Sequence, residues 1–273
     1  MSRIAEAFVQ LKSGGNKGFI PFITAGDPDL ATTEQLIIEL SNAGATLVEL
    51  GVPFTDPMAD GPVIQRASER ALRHEFGLAE VFQIVSDVRR QTDVPIILFS
   101  YFNPLLQFCA GETSNEPAFT FEKLARAAKQ AGVDGILVTD LVPEEAVEFA
   151  ATLRAHDLDM IFLVAPTSTD ERLKMVAERA SGFIYAVSRA GTTGARAEMS
   201  AEAEKLVARV RKFSDLPIAV GFGISRPEQV ADVWRYADAA VVGSAIVSEI
   251  ERAQSGDDAV ARVGRFAREL VSK

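Results

Sequence analysis

The sequence predicts an α/β fold, a closed (β/α)8 barrel of eight parallel strands with an extra helix before the first strand. Eight short apolar stretches recur along the 273 residues, with helical stretches between them. They are almost continuously apolar rather than alternating, which is typical of parallel strands covered on both faces. The length also agrees, because barrels of this kind contain roughly 250 residues.

The eight apolar stretches have short connections, and no linker rich in proline, glycine or serine separates them. The predicted strands are residues 19–24, 46–52, 94–101, 134–139, 159–165, 182–187, 217–222 and 239–242. We therefore expect one domain over residues 1–273. An open, doubly wound sheet of eight strands is the alternative fold.

Two signals define the predicted helices near the N-terminus. Ile4, Phe8 and Leu11 share one face of a helix that could cover the bottom of the barrel. Membrane binding is the alternative for this helix, but it lacks the basic polar face of membrane-surface helices. After the first strand, Asp27 and Pro28 predict an N-cap followed by the first residue of a helix.

Composition excludes several classes of protein. The net charge of −10 argues against nucleic-acid binding, because phosphate backbones demand a basic surface. No apolar run approaches the roughly 20 residues of a membrane span. The N-terminal residues lack the features of a signal peptide. Cys109, the single cysteine, cannot form an internal disulfide, which fits a reducing compartment. We expect a cytoplasmic protein that binds neither membrane nor nucleic acid.

Carboxylates near the end of the second predicted strand are candidate catalytic groups, because barrel active sites lie at the C-terminal strand ends. Glu49 is embedded in an otherwise apolar strand. Burial there would raise its pKa toward neutrality, which suits general acid–base catalysis. A structural ion pair is the alternative, although no basic residue is near in sequence. Asp56 and Asp60 in the following loop complete a possible cluster, though each alone is typical of a turn.

Glycines after the last two strands predict a phosphate site. Strand seven ends with Gly221 and is followed by Gly223, and Gly243 and Ser244 precede a helix after strand eight. Glycines let backbone N–H groups approach a ligand, and a helix N-terminus favours negative charge. Barrel enzymes commonly bind a substrate phosphate in these two loops. The glycine-rich loop 188–194 has the composition of a mobile lid, or of a simple flexible connection.

Residues missing from the predicted strand ends restrict the chemistry further. None of the lysines lies at such an end, as a Schiff-base aldolase requires. His74 and His156 fall in helical stretches and Cys109 has no histidine nearby, so the usual soft and imidazole metal ligands are not clustered. Carboxylate chemistry on a phosphorylated small molecule remains.

Residues 47–65, LVELGVPFTDPMADGPVIQ, strongly resemble the signature of the tryptophan synthase α subunit family. Shorter matches follow in order at 21–28, 183–194, 220–225 and 242–247. The resemblance implies a TIM barrel that cleaves indole-3-glycerol phosphate to indole and glyceraldehyde 3-phosphate in L-tryptophan biosynthesis, without a cofactor of its own. It also implies a pyridoxal-phosphate β subunit that receives the indole, in an α2β2 heterotetramer.

The resemblance also implies roles for residues at matching positions. Glu49 would be the catalytic acid–base, and Asp60 its partner that stabilises positive charge on the indole nitrogen. The implied substrate-binding residues are Phe22, Tyr101, Leu137 and Phe222 around the indole, Tyr185 and Thr193 lining the site, and Gly194, Gly223, Gly243 and Ser244 at the phosphate.

The chain departs from the family pattern at Thr139, at Phe99 and in the longer stretch 107–119, on the side that faces the β subunit in the family. Three alternative functions remain open. They are a stand-alone indole-glycerol phosphate lyase, a non-catalytic activating subunit, and a phosphosugar isomerase on the same barrel.

Overall fold

The computed structural model describes residues 1–110, 120–187, 196–221 and 223–272. Eight parallel strands pair in chain order and close into a barrel, with the first strand bonded to the last. They are β1 Gly18–Thr24, β2 Val48–Gly51, β3 Ile96–Ser100, β4 Gly135–Val138, β5 Asp159–Val164, β6 Ile184–Val187, β7 Ile218–Gly221 and β8 Ala239–Val242. The predicted barrel is confirmed, and the open-sheet alternative is wrong.

Helices follow the strands around the outside of the barrel. In the part of the chain that the structure describes they are α1 Arg3–Ser13, α2 Leu30–Asn42, α3 Pro62–Ala71, α4 Leu78–Val88, α5 Phe102–Cys109, α6 Phe121–Ala131, α7 Val147–Ala155, α8 Asp170–Arg179, α9 Arg196–Val210, α10 Pro227–Trp234, α11 Ser244–Glu251 and α12 Gly256–Val271. A short 3-10 turn, Leu72–His74, extends α3. None of these helices is long and apolar enough to cross a membrane.

Successive strand residues face opposite sides of the barrel wall, which explains why the strands are apolar throughout. Val48 and Leu50 on β2, for example, pack in the large cluster between the barrel and the helices. The alternate residues fill the interior, and they include Ile20, Leu47, Ile97, Leu137, Ile161, Phe183, Ala219, Ala239 and Val241. The barrel is therefore a packed core rather than a pore.

Helix α1 closes the bottom of the barrel, as its apolar face predicts. Ile4 and Phe8 are buried in the interior cluster, and the Phe8 ring centroid lies 5.9 Å from that of Phe183. The Ser2 hydroxyl accepts a hydrogen bond from the Ala5 N–H, which caps the start of the helix. The same hydroxyl donates to Asp159 at 2.6 Å, which fixes the helix to the start of β5.

Asp134, also at the bottom, is a buried carboxylate whose two oxygens are both paired. Its Oδ2 accepts from Arg89 Nη2 at 2.6 Å and from the Ile96 N–H at 2.8 Å. Its Oδ1 accepts from Arg3 Nη1 at 2.9 Å. The carboxylate thus joins α1, α4 and the starts of β3 and β4.

The predicted N-cap at Asp27 is wrong. Helix α2 begins at Leu30, and Asp29 caps it by accepting from the Thr32 N–H at 2.7 Å. Asp27 is instead fully buried and forms an ion pair with Arg70 of α3. A partner from a distant part of the chain, which local sequence does not reveal, determines the role of this aspartate. The Asp27–Pro28 peptide bond is cis.

Candidate active site

Glu49 lies on β2 and faces the barrel interior, because it follows Leu47 of the interior cluster by two residues. It is 1% exposed, and its Oε1 has no hydrogen-bond partner among the described residues. Burial raises the pKa of Glu49 well above its usual value. Among the described residues, Glu49 forms no structural ion pair. A buried carboxyl whose pKa is raised is suited to exchange a proton with a ligand.

Tyr185 on β6 faces the same space. Burial, and secondly the charge of Glu49, raise the pKa of Tyr185 well above its usual value, so the phenol stays protonated. A side chain on Gly221, at the end of β7, would collide with the Tyr185 hydroxyl. The glycine at this strand end thus allows the hydroxyl to lie against the backbone beside Glu49.

Asp60, in the loop between β2 and α3, is partly buried and hydrogen-bonded by the Tyr101 hydroxyl. Burial raises the pKa of Asp60 to about 6, although the bond from Tyr101 lowers it. Burial, and secondly Asp60, raise the pKa of Tyr101 to about 12. Tyr101 Oη also accepts from the Ala59 N–H at 2.8 Å, and the Gln65 amide donates to the Asp60 carbonyl at 2.9 Å. These bonds fix the position of a carboxylate that is mostly ionised at pH 7.

Asp56 in the same loop is different. It is exposed, and its carboxylate accepts a hydrogen bond from the neighbouring Thr55 hydroxyl at 2.7 Å. Its backbone carbonyl accepts from the Met58 N–H at 2.8 Å, as in a turn. Of the two loop aspartates in the predicted carboxylate cluster, Asp60 is therefore the buried one.

An aromatic and aliphatic surface lies next to these polar groups. Phe22 is opposite Glu49 in the pairing of β1 with β2, and its ring packs edge-to-face on Phe99 at 5.3 Å. A Cβ on Gly51 would approach the Phe22 ring to 2.5 Å, so glycine is needed there. Leu137, opposite Phe99, is fully buried.

Sequence reasoning missed two side chains of this surface. Phe99 stands out in the sequence only as a departure from the family pattern, although alternation through Ile97, Phe99 and Tyr101 places it inside the barrel. Ile64, on the first turn of α3, packs with Phe22 and Phe99 in a small apolar cluster. Only the return of α3 over the barrel mouth brings it there. Thr139, the other departure, donates its hydroxyl to the Ser100 carbonyl at 3.2 Å.

The predicted phosphate residues lie at the ends of neighbouring strands, since β7 pairs with β8. Gly223 has φ +66°, a left-handed conformation that favours glycine. Gly243 precedes α11 as its N-cap, and Ser244 is the first helical residue and exposed. The first N–H groups of a helix have no partner inside it, so the start of α11 can bind an anion.

Some predicted residues fall outside the part of the chain that the structure describes. They are Phe222, Thr193 and Gly194, with the rest of the glycine-rich loop 188–194 and residues 111–119 of the longer stretch.

Other groups that could carry chemistry do not lie at the strand ends of this mouth. Each lysine among the described residues lies in a helix or in the segment before a strand. The described residues form no group of three or more histidine, cysteine or acidic side chains that could hold a metal ion. Cys109 is buried at the end of α5, where burial raises its pKa to about 11. The geometry thus points to Glu49, Asp60 and Tyr185 as the polar groups facing a ligand.

Known proteins resemble this chain over nearly its whole length. The sequence profile of the family described as "Tryptophan synthase alpha chain" matches residues 8–272. The tryptophan synthase alpha chain of Geobacter sp. (strain M21) is 48% identical over 270 residues, which cover 99% of this chain and 97% of the relative. That of Geobacter sulfurreducens is 50% identical over 252 residues, 92% of this chain and 91% of the relative.

Solved structures agree with these sequence matches. Tryptophan synthase subunit alpha from Legionella pneumophila str. Paris superposes with a TM-score of 0.88 at 36% identity, covering 99% of this chain and 97% of the other. A chain of the tryptophan synthase α2β2 complex from Pyrococcus furiosus gives 0.83 at 39% identity, covering 93% and 97%. The chain therefore belongs to the tryptophan synthase alpha chain family.

Proposed function

We propose that this chain is the α subunit of a tryptophan synthase and a lyase that cleaves indole-3-glycerol phosphate to indole and glyceraldehyde 3-phosphate. Family membership supports the reaction. The observation that carries the mechanism is Glu49, a fully buried carboxyl without a hydrogen-bond partner for Oε1 among the described residues. Such a group lowers the free energy of unfolding, and groups of this kind are typical of sites that act on a ligand.

Cleavage of the carbon–carbon bond requires an electron sink, which the indole ring supplies. A proton added to C3 of the ring leaves positive charge on the ring nitrogen. The glycerol hydroxyl next to the ring then loses its proton and its carbon becomes a carbonyl. The electrons of the broken bond return to the ring and neutralise the nitrogen. No lysine adduct is needed, in agreement with the position of the described lysines.

Glu49 carries the proton transfers. Its raised pKa favours the protonated carboxyl, which can deliver a proton to C3 and, once ionised, accept the hydroxyl proton. Tyr185 stays protonated beside it and can donate a hydrogen bond to the same region of the substrate.

Asp60 stabilises the charge that develops on the indole. Above about pH 6 its carboxylate is ionised and can accept the ring N–H. Tyr101 holds that carboxylate through its hydroxyl, so the negative charge is oriented before the substrate binds.

The remaining predicted residues bind the two ends of the substrate. We assign the indole to the apolar surface of Phe22, Tyr101 and Leu137, together with Phe222. The phosphate would bind the backbone at Gly194, Gly223, Gly243 and Ser244, with Thr193 near the reacting glycerol. The first turn of α11 contributes unpaired N–H groups and a partial positive charge to this end.

The relative from Pyrococcus furiosus is part of an α2β2 complex. We propose the same assembly here, with a β subunit that carries pyridoxal phosphate and receives the indole, whereas the α chain itself uses no cofactor. We also propose that residues 1–273 form one domain and that the protein acts in the cytoplasm.

The Glu49→Gln variant tests this function. The amide has the size of the carboxyl but cannot transfer the proton, so we expect indole release to fall by about 10²–10⁴-fold or more. Protection of the fold by glycerol 3-phosphate, measured by thermal shift, should persist. Asp56→Asn is the control, because it neutralises an exposed carboxylate at the same mouth and should keep near wild-type activity.

Assays with and without a β subunit separate the alternatives. A stand-alone lyase would release indole at full rate alone, and an activating subunit would stimulate the β reaction without cleaving the substrate. A Glu49→Gln variant with more than about a tenth of wild-type turnover would contradict the mechanism, since proton transfer contributes far more than that.

A further inference from the structure

Helices α3 and α11 lie side by side and start at different parts of the mouth. The loop that carries Asp60 leads directly into α3, and Gly243 leads directly into α11. Near the mouth their contact is apolar, because Ala67 of α3 and Val247 of α11 are fully buried in one small cluster. A Cβ on Gly243 would lie 3.9 Å from Ile64 Cδ1, so the first turns are in contact.

At the other end, the contact consists of charges. Glu251 is the last residue of α11. Its Oε1 lies 2.6 Å from Arg66 Nε and 2.9 Å from Arg70 Nη1, and its Oε2 lies 2.8 Å from Arg66 Nη2. The hydrogen bond from Arg66, with further contributions from both arginines, lowers the pKa of Glu251 to about 2. The carboxylate is thus ionised at every pH of interest.

Arg70 also connects Glu251 to the core. Its Nε and Nη2 donate to the two oxygens of Asp27 at 2.8 Å each, and Asp27 is fully buried in the loop after β1. Two parallel bonds between a guanidinium and a carboxylate fix direction as well as distance. Arg70 therefore cannot shift without disturbing a buried charge, which makes α3 stiff where Glu251 contacts it.

We propose that Glu251, through Arg66 and Arg70, is a positioning residue that couples the phosphate-binding start of α11 to the loop that carries Asp60. This inference rests on the proposed function. Helix α11 has eight residues and is about 12 Å long, so it moves as one rod. Because α3 is joined to it at both ends, an anion that fixes α11 also fixes α3 and the loop before it.

The chain offers a matched control on the same helix. Glu249 also pairs with two arginines, at 2.6 Å from Arg252 Nη1 and at 2.8 Å from Arg262 Nη2. These arginines lie at the end of α11 and on α12, not on α3. Glu249→Ala therefore removes a similar carboxylate from α11 and leaves the contact with α3 intact.

Hydrogen exchange measures the coupling directly. Glycerol 3-phosphate is the probe, and amide exchange is followed in residues 53–61. In the wild type and in Glu249→Ala we expect the ligand to slow exchange in this loop. In Glu251→Ala the ligand should still bind, with a Kd within about threefold of wild type, but the slowing should be lost, because the N–H groups of α11 remain while their link to α3 is gone.

Kinetics provide a second readout. Glu251→Ala should lower kcat for indole-glycerol phosphate by about five- to tenfold, with a smaller change in KM, whereas Glu249→Ala stays within about twofold. Glu251→Gln keeps one acceptor for an arginine, so its kcat should lie between those of Glu251→Ala and Glu249→Ala. All assays are run well below the measured melting temperature of each variant, so that loss of folded protein does not contribute.

Each outcome is decisive. Equal behaviour of Glu251→Ala and Glu249→Ala, with an active wild type, overturns the coupling and leaves the proposed function intact. A wild type that neither cleaves the substrate nor binds glycerol 3-phosphate overturns the proposed function, and the coupling with it. Loss of binding in Glu251→Ala alone would also overturn the inference, because the residue would then serve the phosphate site rather than link it to Asp60.

Discussion

Each end of the barrel holds a buried carboxyl group, and the two groups differ in their hydrogen-bond partners. At the bottom, Asp134 is 5% exposed and receives hydrogen bonds from Arg3, Arg89 and the Ile96 N–H. At the mouth, Glu49 is 1% exposed, and its Oε1 has no partner in the part of the chain that the structure describes. Residue type and burial are similar, so the difference lies in the partners.

The partners show which end stabilises the fold and which end costs stability. A buried charge with matched partners joins the elements around it, whereas a buried carboxyl whose oxygen has no partner is retained at the expense of folding free energy. This division is typical of barrels, where the bottom stabilises the fold and the C-terminal strand ends act on ligands. Substitutions at either end test this difference.

Removing the paired carboxylate should have the largest effect on stability. We expect Asp134→Ala to lower the free energy of unfolding by about 3–5 kcal/mol, because it leaves the mostly buried Arg89 without its counter-ion. Urea unfolding measures this loss. Arg3→Ala, which removes the more exposed partner, should cost no more than about 1 kcal/mol. Equal losses in the two variants would show that burial of the pair is irrelevant.

Removing the Glu49 carboxyl should raise stability instead of lowering it. We expect Glu49→Met to raise the free energy of unfolding by about 1–3 kcal/mol while cleavage is lost. Unfolded glutamate has its ordinary pKa of 4.5, but burial raises the pKa of folded Glu49, which therefore holds its proton to higher pH. Between these two values the folded state binds more protons, so wild-type stability falls as pH rises.

The pH dependence gives a control for this prediction. Because methionine does not titrate, the advantage of Glu49→Met should be smallest below pH 4.5 and grow above it, up to the pKa of the folded carboxyl. Unfolding curves at several pH values measure the difference. A Met variant that is less stable than wild type at all of them would mean that Glu49 is paired after all.

The smallest effect is expected from Tyr101, whose hydroxyl donates a hydrogen bond to Asp60. Asp60 must be ionised to accept the indole N–H, so kcat/KM should rise with pH through about 6. The Tyr101 hydroxyl lowers the pKa of Asp60, so Tyr101→Phe should move this rise to higher pH. At pH 8 we expect a loss of about two- to tenfold, the usual range for one hydrogen bond. A pH profile that does not move would remove Tyr101 from this role.

Much of the fold could be predicted from the sequence because it depends on local periodicity. Every observed strand lies within its predicted stretch, except that β1 begins one residue earlier, at Gly18. The apolar face of α1 also predicted its place under the barrel. Asp27 was misassigned as an N-cap because its buried partner, Arg70, comes from a helix forty-three residues away. Local pattern cannot show such a pairing.

Some residues of the site could likewise be predicted from local sequence, whereas others depend on contacts between distant parts of the chain. An acid inside an apolar strand is visible in sequence, so Glu49 could be found without coordinates. Asp56 and Asp60, however, are equivalent as loop aspartates in local pattern, and only the family resemblance separates them in sequence. In the structure, burial and the Tyr101 hydroxyl, which arrives from the end of β3, distinguish Asp60. The contact of Gly221 with the Tyr185 hydroxyl likewise depends on the pairing of β6 with β7.

The side chains of Ile4 and Phe8 fill the lower opening of the barrel, below an interior that is packed with apolar residues. A molecule released beside Glu49 thus faces a dead end beneath it. Within the part of the chain that the structure describes, the open route for products leads upward, through the mouth that admitted the substrate. Any protein that collects the indole must consequently sit over that mouth, and access of bulk water to the reaction will depend on what covers it.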